Sequence, residues 1–342
     1  MSDWLNTLTQ FGAMIDEPHR LQVKASKTQT RVVPLLHLRA LSVLGPEATK
    51  FLQGQLSCDM EEVSRRGSGL GAHCNIKGHM LALYRLMAVK DGYWLRLHHE
   101  LLADGLANLN KYIVFSKADA ADLGDQLVGL GLIGPGAATL VERVMDRAPS
   151  EDDGALRSGN KVAVRVPGDR FELWLPVNEA VELLPNLLEG AELGSTEQWL
   201  LSEIRAGIAD LRAATKEAFI PQMTNLQALG GVSFSKGCYT GQEIVTRLQH
   251  RGKLNKPMYR ARVASDSVPA AGTALHSAER ENVGQVVLAA PTEEAGQVEL
   301  LAVINKAQAD SETILLASQS GPALELLELP YLLDPSLFER KS

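Results

Sequence analysis

Between Ser233 and Glu243 the chain reads Ser-Phe-Ser-Lys-Gly-Cys-Tyr-Thr-Gly-Gln-Glu, which sets an amine, a thiol, an amide and a carboxylate within eight residues, Lys236 to Glu243. A cysteine becomes a nucleophile only as its thiolate. Lys236, two positions before Cys238, would favour that form, and Glu243, five positions after it, would oppose it, so the fold decides which neighbour counts. Gly237 and Gly241 permit positive φ or close backbone approach beside a reactive or binding side chain. The other reading is a buried apolar cysteine beside a turn, with Gln242 and Glu243 opening a solvated helix.

The run before this segment adds polar groups. Pro221 disfavours helix at Ile220, so Gln222 and Asn225 are expected on an extended or turn backbone. There their amides could bond the edge of a heteroaromatic ligand, or cap the loop's own backbone. With Glu243 they match the needs of a pterin pocket: a carboxylate accepts two parallel hydrogen bonds from an aminopyrimidinone edge while an aromatic such as Trp199 covers its face. Directly downstream, Arg247, His250, Arg251, Lys253, Lys256 and Arg260 form a basic cluster suited to an anionic tail or phosphate, or simply a solvated linker.

The whole chain narrows the classes. It has 342 residues, is 45% hydrophobic, and carries 34 Lys and Arg against 41 Asp and Glu, a net charge of −7. That length can bury a large core in two or three domains. The acidic balance gives no general drive towards nucleic-acid phosphates or an anionic membrane, and direct contact with a nucleic acid such as tRNA stays open only through a local basic patch. Three cysteines, Cys58, Cys74 and Cys238, are too few and too far apart for a disulfide scaffold or a four-thiolate metal site. A reducing cytoplasm is the expected setting, because no signal-like opening and no run of ~20 apolar residues is present.

The elements that must position these groups are read from periodicity. Residues 1–30 suggest a short surface helix through Trp4, Leu5, Leu8 and Phe11. A strand is expected at 34–43, a helix from Ala48 towards Asp59, and a hairpin turn at Lys77-Gly78 ahead of strands near 82–86 and 93–97. Helical periodicity follows at 101–114, and the Ala/Asp run at 118–126 reads as a surface connection. Strands at 127–133, 162–166 and 171–175 alternate with helices at 137–145 and 178–188, and Trp199 to Ile208 is helical. Past residue 250, short β-rich segments predict a closed or nearly closed antiparallel barrel. The class is α+β, without a GxGxxG or phosphate-loop signature.

The motif Lys236-Gly237-Cys238-Tyr239 with Gly241-Gln242-Glu243, preceded by Phe219-Ile220-Pro221-Gln222 and 225–231, resembles a specific family. These are the bacterial folate-binding proteins linked to tRNA modification and iron–sulfur enzyme maintenance, in the aminomethyltransferase superfamily of the glycine cleavage system. The likeness extends to 51–56 with Asp59, to 72–74 with Lys77-Gly78, to 111–117 and to Gln198-Trp199. It implies an aminomethyltransferase-like folate-binding fold in three parts: 1–120 with 197–252, then 121–196, then a C-terminal antiparallel β-barrel and tail at 253–342. It also implies a tetrahydrofolate or related reduced-folate cofactor and Cys238 as the key thiol, with Lys236 and Arg247 supplying positive charge and Trp199 at a folate contact. The implied partners are iron–sulfur enzymes such as a tRNA methylthiotransferase. Two departures stand out. Leu38 takes the place of a first-strand tryptophan, and Asn75 that of an acidic residue able to act at folate N5 or N10. The reading therefore ranks an iron–sulfur accessory role first and a folate-dependent one-carbon, aminomethyl-type transferase as the alternative.

Overall fold

The structure is a computed structural model that describes residues 2–17, 19–24 and 28–339, with backbone only at 16, 17 and 251. The described residues form two compact units, one of Met1–Leu52, Met60–Gly69 and Tyr84–Trp199, the other of Gln53–Asp59, Leu70–Leu83 and Leu200–Ser342. Residues 121–196 share their unit with most of the first 120 residues.

In the first unit a six-stranded sheet runs in the order Ala155–Ser158, Lys161–Val166, Arg170–Pro176, Leu127–Ile133, Arg31–Pro34, Glu192–Leu193. Its pairs are antiparallel except the last. The alternation of Leu127–Ile133 shows why it sits where it does. Val128, Leu130 and Leu132 face one side, against Ala137–Met145, Val177–Leu187 and the helix Ser2–Gln10. Gly129 and Gly131 face the other, as the period of two in a strand requires. A Cβ on Gly129 would stand 2.8 Å from Trp174, and one on Gly131 only 2.3 Å from Trp199, so the glycines make room for two indoles. Trp4 and Leu8 are wholly buried, which corrects the expected surface helix: an apolar pair four residues apart on one helix face is taken into the core.

A second sheet has the order Ser68–Cys74, Met80–Val89, Gly92–His98, Leu38–Leu44, Asp119–Asp122. The Ala/Asp run is thus an edge strand, paired to Leu38–Leu44 despite its poor β composition. The expected single strand at 34–43 is two, broken by a turn in which Leu36 N donates to Pro34 O and Leu38 N to Leu35 O. The expected helix from Ala48 ends at Gln55, and a second, Met60–Arg66, follows it.

The second unit carries a six-stranded antiparallel sheet ordered Leu315–Leu316, Ala274–His276, Gly284–Pro291, Gln297–Ile304, Met258–Ala264, Glu325–Leu327. An irregularity between Val286 and Leu288 bends it around a core of Val286, Leu300, Ala302 and Ile304. It is a curled half-barrel, which corrects the closed barrel expected from the sequence. The two outermost strands have only two and three residues, and among the described residues an isolated bridge, Leu315 to Ala323, joins the first to the residues leading into the second in place of a continuous ladder. Among the described residues no helix is long and apolar enough to cross a membrane.

Candidate functional site

The segment from Ser233 to Glu243 lies in the second unit, laced to two other stretches of that unit. Ser57 is the hub. Its hydroxyl donates to Gly231 O at 2.6 Å and accepts from Ala72 N at 2.9 Å, while Ser233 N donates to Ser57 O at 2.9 Å. Gly241 has φ +83, and a Cβ there would stand 2.5 Å from Asn75 O and 3.0 Å from Cys74 Cβ. Only glycine meets both demands, the left-handed backbone and the close approach. The helix Gln242–Arg251 starts directly after it.

Lys236 points inward. Its Nζ donates to Leu56 O and Cys58 O, both at 2.7 Å, and sits 5.0 Å from the centre of the Tyr239 ring. Burial lowers its pKa to about 8, against the upward pull of Asp59. Burial also pushes the Cys58 thiol up to about 12, so Cys58 is a neutral thiol where Lys236 titrates. Cys74 is likewise pushed up to about 12 by burial. Cys238 is the exposed cysteine, and among the described residues no hydrogen bond or ion pair holds it. A partly buried ammonium needs acceptors, and it finds them in two backbone carbonyls rather than beside Cys238.

Gln222 and Asn225 are wholly buried on the 3-10 turn Pro221–Thr224 and its left-handed cap. Gln222 Nε2 donates to Val245 O at 2.6 Å. Asn225 Nδ2 donates to Met258 O at 2.9 Å, and Asn225 Oδ1 accepts from Met258 N at 3.3 Å. These amides brace their own unit through backbone hydrogen bonds. Trp199 departs further. It belongs to the first unit, fully buried, with its ring over Gly131 and the Arg170 guanidinium 4.7 Å from its centroid, so it offers no open face for stacking.

Glu243 and Arg247 are exposed, four residues apart on the helix Gln242–Arg251 and hence on one face of it. In the basic cluster, Arg260 is taken up by Glu299 at 2.7 Å, Lys256 lines a cleft, and the Arg251 side chain lies outside the described residues.

Sequence reasoning missed one carboxylate. Asn75 Oδ1 accepts from Lys77 N at 2.9 Å and His79 N at 3.1 Å, which folds the turn, and Asn75 Nδ2 donates to Glu217 Oε1 at 2.8 Å. Glu217 is exposed and holds φ +60, unusual for a residue with a Cβ. No sequence motif marked it, since 142 residues separate the pair. One residue further on, Ala218 and Phe219 begin the wall of a cleft of about 290 Å³ that also includes Met223, Lys256, Asn282 and Gln285.

This arrangement is carried by a known fold. The glycine cleavage system aminomethyltransferase T from Bartonella henselae superposes with a TM-score of 0.70, over 92% of this chain and 88% of that one, at 16% sequence identity. In fold, the chain is similar to aminomethyltransferase T. A heterotetrameric sarcosine oxidase from Corynebacterium sp. U-96 covers 48% of this chain and 85% of that one at 12% identity, with a TM-score of 0.33, too low to bear on the argument. No protein-family model matches the sequence.

Proposed function

We propose that the protein binds a reduced folate and acts on its one-carbon unit as an aminomethyl-type transferase. The observation that carries this reading is the likeness to an aminomethyltransferase T over 92% of the chain. The residues of the second unit fit the cofactor. Tyr239 OH is buried without a hydrogen-bond partner, the exposed Glu217 is bonded to Asn75, and the exposed Glu243 follows two residues after Gly241, which abuts the Asn75 turn. A bound reduced folate supplies the nitrogens N5 and N10 that carry a one-carbon unit.

Each protein group has a part. Glu243 accepts the paired donors of the aminopyrimidinone edge. Glu217, oriented by Asn75, exchanges a proton at a folate nitrogen, the part left open by the amide at position 75. Lys256 meets the anionic tail at the cleft. Lys236 holds the loop by its two carbonyl bonds and keeps a positive charge there below about pH 8. The test is turnover of tetrahydrofolate with an aminomethyl donor by the purified chain. Ammonia release dependent on folate supports the reading, and bound folate without turnover contradicts transfer.

The exposed Cys238 favours a second reading, an accessory protein for iron–sulfur enzymes such as a tRNA methylthiotransferase, with that thiol as the reacting group. It expects Cys238→Ser to stay folded while the partner enzyme loses activity. Unchanged partner activity with a folded variant contradicts it.

A further inference from the structure

Four of the chain's eight histidines, His19, His37, His98 and His99, come together in the first unit. They arrive from three separate stretches. His19 lies between the strands Met14–Glu17 and Arg20–Gln22, His37 follows Arg31–Pro34, and His98 and His99 stand where Gly92–His98 passes into the short helix His99–Leu101. His19 stacks on His99 with ring centroids 3.7 Å apart and planes 21° from parallel, and His98 and His99 are 4.5 Å apart. Backbone bonds fix the convergence: His99 N donates to His37 O at 3.0 Å, and His19 Nδ1 lies 3.1 Å from Leu36 O.

We propose that His98, His99 and Glu100 form a binding site for a divalent transition-metal ion of the zinc class, with His19 as the positioning residue that orients His99. One ligand atom from each of the three lies within 4.8 Å of the others. His98 Nδ1 accepts the Glu100 N–H at 3.3 Å, so the ring proton of this tautomer sits on Nε2, and a metal bound at Nδ1 takes the place of that hydrogen bond. The same nitrogen is 3.9 Å from Glu100 Oε1. Two imidazoles and one carboxylate suit zinc, cobalt or nickel rather than calcium or magnesium, which prefer all-oxygen shells. Zinc holds such ligands at about 2.0–2.1 Å, so the three must draw inward on binding. His98 is buried, whereas His99 is half-buried and Glu100 exposed.

The experiment is titration of the untagged chain with cobalt(II), read by its visible ligand-field absorption, followed by displacement with zinc(II). One equivalent should bind saturably. Cys238→Ser should leave binding unchanged, and His99→Ala and Glu100→Gln should each weaken it tenfold or more while circular dichroism stays native. The exposed Glu100→Gln carries the test by itself if His99→Ala does not fold. No saturable uptake by the folded chain, uptake unaffected by Glu100→Gln, or uptake abolished by Cys238→Ser would overturn the site.

Discussion

Asn75 and Glu217 are joined by a 2.8 Å hydrogen bond from amide to carboxylate, across 142 residues of chain. The bond restores an acidic oxygen beside the turn where the sequence has only an amide. It also lets one side chain serve two ends, since the Asn75 oxygen holds the turn while its nitrogen orients the carboxylate.

Glu217→Gln is therefore expected to keep folate affinity within a few-fold and to lower transfer by roughly 10²–10⁴, the range of a lost general acid or base. Kinetic constants for the variant check this: the loss should appear in kcat rather than KM.

Lys236 sets a pH signature. Because its pKa falls to about 8 in the folded chain from an ordinary 10.5, the unfolded chain binds the extra proton between those values. Stability contributed through Lys236 then rises with pH across that window, and the penalty of the buried charge is complete below it. In Lys236→Met this rise should vanish, and the carbonyls of Leu56 and Cys58 lose their donor. Denaturant melts of both proteins from pH 7 to about 10.5 measure the difference.

In the first unit, Glu172 is wholly buried between Arg96, at 2.6 Å, and Arg85, at 3.7 Å, and accepts the Trp174 indole N–H at 2.8 Å. Burial pushes its carboxyl up, yet the two arginines and these hydrogen bonds overcome that and hold it below the ordinary carboxylate value. Its contribution to stability is thus present at neutral pH and is lost as pH falls through that lowered value. Glu172→Gln should cost about 3–5 kcal/mol, as expected for a buried pair left without one partner, with a reduced acid dependence of unfolding.

Much of the fold was legible and the site only partly so, for physical reasons. Apolar periodicity found the helix Ala137–Met145 and the strand Leu127–Ile133, because one face of each is buried by its own unit. It failed at Asp119–Asp122, where pairing to a neighbour overrode composition, and at the edges of the half-barrel, where closure depends on strand length rather than pattern. Local spacing identified Lys236, Cys238 and Glu243 as a unit, but not the direction of the lysine, which is set by carbonyls about 180 residues away, at sequence separations of 180 and 178. Trp199 looked like a stacking surface because an aromatic beside polar residues reads the same in a pocket or a core. The glycine opposite it, Gly131, gives the indole its room in the core, and no local spacing showed that pairing.

Trp199→Ala should accordingly destabilise the first unit by about 3–5 kcal/mol, the usual cost of emptying a buried aromatic site. Thermal melts read this loss, and folate affinity of the protein that remains folded should be unchanged.

The central claim, a reduced folate held at the carboxylates of the second unit, is tested most directly by calorimetric titration of the chain with tetrahydrofolate beside Glu243→Gln. Saturable binding to the wild type, weakened at least tenfold in a variant that keeps its native circular dichroism, is the expected result. No binding to folded wild-type protein, or equal binding by the variant, would contradict it.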